Sequence, residues 1–417
     1  MVPGIKVGKI FFALFSFVVL GGSALAGGFQ INLQGSKQNM MGHAGSALSL
    51  DASSVFFNPG ALAFLKDSFC FNAGVNLIFP RVGYQESNPG FYTAGNINKY
   101  SNPIVFYSSF KIKPFTKWTF GFGVNNPFGS SLVWEDNWAG QFVIREISLK
   151  TFCFQPAATF KLSEKIALGG AFNYYSGELI LRKGIPVSDS TGKFGEARLD
   201  GKANGFGFNA GLVYKPFEKL TLGIDYRSQS TVKLKKGNAE FSVPSALADS
   251  FPKTSFTSQL ALPQVTTLGL AFSFSEKFTL VIDVNYTGWK SYDTLKFDYA
   301  FNSESLKDTK ITKNYKNVFA YRLGGQYKLA EPIVIRAGGF FDMSPVQDGF
   351  LTPDGPDANR VGVTLGMSFQ PVKKFSIDFS CMYLETIKRM GGSYEAGFWG
   401  TYKTIAVIPS LVFQYSF

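Results

Sequence analysis

The chain has 417 residues, including 45 Phe, 18 Tyr and 44 Gly, with 17% charged residues and a formal net charge of +12. Its Lys and Arg are scattered rather than clustered among stacking rings, which argues against nucleic acid as a partner. Cys70, Cys153 and Cys381 are odd in number and far apart, so they supply no disulfide framework.

Residues 1–26 read as a secretory signal peptide. Lys6 and Lys9 precede the apolar run Ile10 to Leu20, and Ala24 and Ala26 occupy the small-residue cleavage positions. Beyond Ala26 no run of about eighteen apolar residues occurs, so no membrane helix is expected. Residues 27–67 do not share the rhythm of the rest. They begin rich in small residues (Gly42, Ala44, Gly45, Ser46, Ala47) and then turn apolar through Val55, Phe56, Phe57 and Leu62. Asn58-Pro59-Gly60 interrupts that apolar run. Pro59 lacks an amide proton and Gly60 is costly in a helix, so the triplet predicts a sharp turn. Small residues permit close packing and apolar ones need cover, and folding inside a barrel satisfies both.

From residue 68 the period is two. In the last segment Ile405, Val407, Leu411, Phe413, Tyr415 and Phe417 share one face, against Thr404, Ala406, Ser410, Gln414 and Ser416. Leu280, Ile282, Val284 and Tyr286 likewise oppose Thr279, Asp283, Asn285 and Thr287. Strands are expected near 68–79, 101–112, 117–129, 147–161, 165–182, 202–215, 219–234, 262–274, 277–298, 315–329, 332–342, 359–370, 373–388 and 402–417. Fourteen is an even number, as a bacterial single-chain barrel requires. Short turns such as Ser275-Glu276 alternate with longer loops around 80–100, 130–146, 183–201, 235–261, 299–314, 343–358 and 389–401. The fold class is therefore all-β: a fourteen-stranded antiparallel transmembrane β-barrel over 68–417, with an N-terminal lumenal hatch over 27–67, in the bacterial outer membrane. A soluble β-sandwich would need shorter strands and polar faces turned to water.

With rings towards lipid, parity sends Asp225, Arg227, Asp283, Arg322, Arg336, Asp342 and Asp378 into the lumen. A cross-barrel ion network is one use for them. The other is that Arg227, Arg322 or Arg336 holds the headgroup of an amphiphile, because guanidinium meets carboxylate in a bidentate way. Leu132, Trp134 and Trp138 in one loop, with Phe241, Phe251 and Phe256 in another, are candidates for an apolar capture groove or for mutual packing at the rim. His43 is the only histidine, so no catalytic residues and no transition-metal centre are expected. Asp354 and Asp357 lack the ligand spacing of a calcium loop, and no cofactor is implied.

Beyond these patterns the sequence resembles the outer-membrane transporters of long-chain fatty acids and other hydrophobic compounds, including aromatic hydrocarbons. The resemblance is carried by Gly28-Phe29-Gln30, Gly42-His43-Ala44-Gly45, Asn58-Pro59-Gly60-Ala61, Phe120-Gly121-Phe122-Gly123, Leu262-Pro263-Gln264, Pro356-Asp357-Ala358-Asn359-Arg360 and the terminal Phe417. Gly60 departs from the Asn-Pro-Ala usual in that family. The resemblance implies a hatch-closed barrel, extracellular capture, a pocket beside the hatch and lateral exit through an inward kink in the third strand. Asn126-Pro127-Phe128-Gly129 stands where that kink belongs, and Pro127 with Gly129 suits a bend. The implied partners are a fatty acid or other hydrophobic small molecule and the outer-membrane lipid, for a protein expected to be a monomer. A general diffusion porin and a surface-binding adhesin barrel are the alternatives.

Overall fold

The computed structural model describes residues 27–417 apart from Lys99, Lys113 and Thr116. The signal peptide expected over residues 1–26 lies outside the described residues. Fourteen staves form the wall, several of them broken into two segments. They are β1 (Phe69–Asn76, Phe79–Glu86), β2 (Thr93–Gly95, Ile104–Lys111), β3 (Trp118–Asn125, Gly129–Val133), β4 (Glu146–Lys161) and β5 (Ile166–Ser188). Next come β6 (Phe194–Phe217), β7 (Leu220–Arg227, Ser230–Ser242), β8 (Thr254–Leu262, Val265–Ser273), β9 (Phe278–Thr287, Thr294–Tyr299) and β10 (Thr309–Thr312, Val318–Ala330). The last four are β11 (Ile333–Asp342), β12 (Arg360–Val372), β13 (Phe375–Thr386, Arg389–Ser393) and β14 (Phe398–Ser416). Each pairs antiparallel with its sequence neighbours. The sheet closes where β14 meets β1, from Cys70 opposite Ser416 to Asn76 opposite Ser410.

The staves run farther than the sequence pattern suggested. The expected loop 183–201 is largely strand, because β5 and β6 are 23 and 24 residues long. The expected loop 235–261 is a hairpin of β7 and β8 joined through a 3₁₀ turn at Ser245–Ser250. At about 3.3 Å per residue such strands measure about 75–80 Å, well beyond a hydrocarbon core of about 30 Å.

The reason these extensions escaped the pattern is that their polarity inverts. Along β6, Phe206 and Phe208 point out and Asn209 points in; farther up, Arg198 and Lys202 point out while Ala197 and Leu199 are buried. Along β7 the buried residues change from Asp225 and Arg227 to Val232 and Leu234. On β6 the inward parity holds, whereas on β7 it shifts by one residue across the break between Arg227 and Ser230. On both strands the chemistry changes, because the lower wall faces lipid outside and a polar lumen inside, whereas the upper wall faces water outside and encloses an apolar core.

The hatch fills the lower lumen. It contains helices α1 (Ser36–Met40) and α2 (Ser54–Phe57) and a 3₁₀ segment at Pro59–Phe64, all largely buried. Its backbone lies directly on the wall. A Cβ added at Gly42, where φ is +71°, would fall 2.5 Å from the carbonyl oxygen of Gly339, so both the conformation and the contact require glycine. The Asn58-Pro59-Gly60 turn rests in a similar notch between Gly169 and Gly211. Asn58 Nδ2 donates to the carbonyl oxygens of Ser46 and Leu212, each at 3.0 Å, and its Oδ1 accepts from Gly60 N. The triplet therefore caps the 3₁₀ segment and ties the hatch to β6.

Candidate functional site: a lumenal cavity beside an interrupted strand

The inward charges of the lower barrel hold the hatch. Asp283 on β9 accepts hydrogen bonds from the backbone amides of Gly45 and Ser46, at 3.0 and 2.9 Å. Arg322 on β10 donates to Asn285 Oδ1 at 2.7 Å and to the Gly42 carbonyl at 3.3 Å, and pairs with Asp342 at 3.0 Å. Arg227 donates to the Phe56 carbonyl at 2.6 Å, with its guanidinium 3.8 Å over the Phe56 ring. Arg336 donates to Gln326 and Ser368. Of the three arginines expected as headgroup ligands, Arg227 and Arg322 border a cavity of only ≈50 Å³, and Arg336 borders neither that space nor the larger cavity above it. A space of that size suits a water or two rather than an amphiphile.

The larger cavity, of ≈280 Å³, lies above the hatch in the inverted part of the barrel. Phe29 of the hatch, Leu132, Leu179, Val232, Leu234 and Leu260 give it an apolar wall. Its polar side comes from loop residues Lys313, Asp354, Asp357 and the loop-adjacent Arg360. Lys313 is buried, with Nζ 2.9 Å from Asp354 Oδ2. Burial opposes both charges, but the mutual attraction wins, so Asp354 titrates below its ordinary value and Lys313 above. Asp357 differs. Burial is its largest influence and pushes its carboxyl up to about 7, although the charge of Arg360 and bonds from Ser344 Oγ and the Gly28 amide pull the other way.

A carboxyl whose pKa is raised on folding stabilises the folded state below its unfolded value near 4 and loses that contribution as pH rises towards about 7. The folded 351–359 loop, which buries that carboxyl, is therefore expected to lose stability between pH 5 and pH 8, with an Asp357→Asn variant losing that dependence. Hydrogen exchange of the amides of that loop at both pH values measures it. Equal protection at the two values in the unaltered chain rules this out.

The residues expected in a capture groove are divided. Leu132 borders the cavity. Trp134 and Trp138 stack on each other at 4.3 Å and are almost fully buried, with Trp138 edge-on to Tyr84 and Phe398. Phe241 packs between Phe251 and Tyr299, and Phe256 against Phe297. Five of the six thus build the rim by mutual packing. Lys313 and Phe29 were missed; nothing marks Lys313 off from its neighbours Lys310 and Lys316 as a buried cation, because its partner lies 41 residues away.

The cavity also adjoins a break in the wall. Asn125 of β3 pairs with Cys153 of β4, and Gly129 pairs with Lys150. Asn126, Pro127 and Phe128 therefore stand opposite only Thr151 and Phe152, one residue too many for a regular ladder. Asn126 fills the gap with its side chain, accepting from Ile104 N of β2 and donating to the Thr151 carbonyl of β4. The displaced segment pairs instead with the hatch. Gln30 bridges Phe128, Ile31 N donates to the Pro127 carbonyl at 3.0 Å, and Gly129 N donates to the Phe29 carbonyl at 3.0 Å.

This architecture has relatives. A putative outer membrane protein of Neisseria meningitidis is 24% identical over 401 residues, covering 85% of each chain. A long-chain fatty acid transport protein of Salmonella typhi is 24% identical over 407 residues, covering 90% of this chain and 92% of its own. Among solved structures, a Pseudomonas aeruginosa FadL homologue superposes with a TM-score of 0.81 at 20% identity, covering 94% of this chain and 100% of its own. The Pseudomonas putida toluene transporter TodX gives 0.72 at 16% identity, covering 92% and 98%. The model of the outer membrane protein transport protein family (OMPP1/FadL/TodX) matches residues 17–417. With its hatch seated in a closed fourteen-stranded barrel, the chain belongs to that family of outer-membrane transport proteins.

Proposed function

We propose that the protein carries hydrophobic molecules, fatty acids or hydrocarbons, from the cell exterior into the ≈280 Å³ cavity and releases them sideways through the break in β3. One observation carries the reading: the same short stretches make both features. Gly129 to Leu132, just beyond the break, line the cavity, and so does Phe29, whose carbonyl accepts the Gly129 amide. A molecule in the cavity touches the strand that closes its exit.

The cavity lies near the lower end of the roughly 300–1,000 Å³ usual for ligand sites. It accommodates a small hydrocarbon whole, or one segment of an acyl chain with a carboxylate towards Lys313 and Arg360. The fatty acid and toluene transporters among the relatives suit the same two classes.

Filling the cavity tests the proposal. Val232→Trp is expected to displace about 60–100 Å² of ligand contact, which costs about 1.5–2.5 kcal/mol and lowers uptake about tenfold or more. Uptake of labelled oleate and toluene into cells that depend on this protein provides the measurement. A general porin would pass small polar solutes freely and ignore the substitution. An adhesin would pass neither substrate.

A further inference from the structure

We infer that the ≈280 Å³ cavity selects uncharged hydrophobic molecules, and that Asp354 keeps carboxylates out by holding the Lys313 ammonium. The inference rests on the reading that the transported molecule sits in this cavity. Two cations and two carboxyls from the loops and their edge border it. Lys313 is 4% exposed, with Nζ 2.9 Å from Asp354 Oδ2 and 3.3 Å from Thr352 Oγ1. Arg360 takes one carboxylate oxygen of Asp342 and Arg322 takes the other, each at 3.0 Å, and Asp357 is a second acidic neighbour of Arg360. Glu178, also on the border, is exposed and stands opposite Lys150 and Lys202 in register. Both cations of the cavity are therefore already paired.

The Lys313–Asp354 pair is also held from both sides. The Lys313 amide donates to the Asp293 carbonyl at 2.7 Å. Next to Asp354, the Pro353 carbonyl accepts from the indole Nε1 of Trp134 at 3.2 Å. Trp134 is buried and stacked on Trp138 at 4.3 Å, so the turn that carries Asp354 is tied to the packed rim. Moving Asp354 aside breaks that attachment as well as the ion pair.

An incoming carboxylate thus finds no unpaired cation along the cavity among the described residues. Taking an anion out of water without a partner is strongly unfavourable. To reach Lys313 it must displace Asp354 and set its own negative charge near Asp357. A neutral molecule meets neither penalty. Phe29, Tyr292 and Tyr315 border the same space and pack edge-on, with Tyr292 5.4 Å from Phe29 and 5.0 Å from Tyr315, a wall that suits an apolar or aromatic guest. A fatty acid accordingly enters as its protonated, uncharged form.

Fluorine NMR titration of the full mature chain in lipid nanodiscs reads the selection, with para-fluorotoluene and para-fluorobenzoate as probes and empty nanodiscs as background. The probes differ by a methyl group against a carboxylate. The unaltered chain is expected to bind fluorotoluene at least about tenfold more tightly than fluorobenzoate. Asp354→Asn leaves the Lys313 charge without its partner, and the ratio of the two dissociation constants is expected to move about tenfold or more towards fluorobenzoate. Combining Asp354→Asn with Lys313→Gln removes both charges and is expected to restore the preference for fluorotoluene. A purely structural role for Asp354 would weaken both probes together and leave the ratio where it was. Heat-modifiable gel migration establishes that the barrels are folded. Equal affinity of the unaltered chain for the two probes, or an unmoved ratio in folded Asp354→Asn, overturns the inference, as does a double variant that keeps the single variant's preference. Val232→Trp separates this failure from that of the underlying reading. If it weakens fluorotoluene binding while Asp354→Asn leaves the ratio unmoved, only the inference fails. If Val232→Trp binds fluorotoluene as the unaltered chain does, the cavity is not the site and both fail.

Discussion

Deleting Pro127 alone is expected to stop lateral release while leaving the barrel assembled. The wall carries one surplus residue between Asn125 and Gly129, and its removal lets Asn126 and Phe128 pair regularly with Phe152 and Thr151. A continuous ladder then replaces the Asn126 side-chain bonds. Opening such a ladder in a lipid environment costs several kcal/mol per unpaired group, and each ~1.4 kcal/mol is about tenfold in rate. Uptake of oleate or toluene should therefore fall at least about tenfold, with heat-modifiable migration and β-type circular dichroism unchanged. Unimpaired uptake in a demonstrably folded variant would falsify lateral exit at this position. Pro127→Val is the weaker companion, because it restores an amide donor but keeps the surplus residue.

The second large effect concerns the hatch. In Gly211→Val a Cβ falls 2.1 Å from Asn58 Oδ1 and 2.9 Å from Pro59 Cδ. Overpacking costs about 1–3 kcal/mol, and each buried hydrogen-bonding group of Asn58 left without its partner costs a further ~1–3 kcal/mol. Those penalties act on the turn rather than on the ladder, since Gly211 keeps its pairing with Asp225 and Gly169 through the backbone. The expected product is a folded barrel with an undocked hatch. Planar-bilayer recordings should show steady ion conductance that the unaltered protein lacks, and cells should admit small polar antibiotics. A closed, non-conducting Gly211→Val barrel would mean that the notch does not seat the turn.

How far the sequence reached is visible along single strands. The fourteen staves were legible because rings and polar residues alternate through the bilayer, and lipid outside with water-like polarity inside leaves no other arrangement. Loop 235–261 was misread for the same reason. Above the membrane the solvents exchange sides, so Lys233 and Glu240 face out while Leu234 and Ala239 face in, and a rule keyed to outward rings no longer applies. Asn58-Pro59-Gly60 announced a turn, but its notch at Gly169 and Gly211 depends on two glycines over a hundred residues away.

Strand number, the inward parity of the membrane-spanning segments and the turn at Asn58-Pro59-Gly60 were determined by the sequence alone. They rest on local covalent preference and on the solvent alternation across a bilayer, both of which act on neighbouring residues. Barrel closure, by contrast, brings Lys313 to Asp354, Phe29 to Gly129 and Arg322 to Gly42, joining residues up to 280 positions apart. The single surplus residue in β3 also became visible only once β4 was laid beside it. Register is a relation between two strands, and neither strand contains it alone.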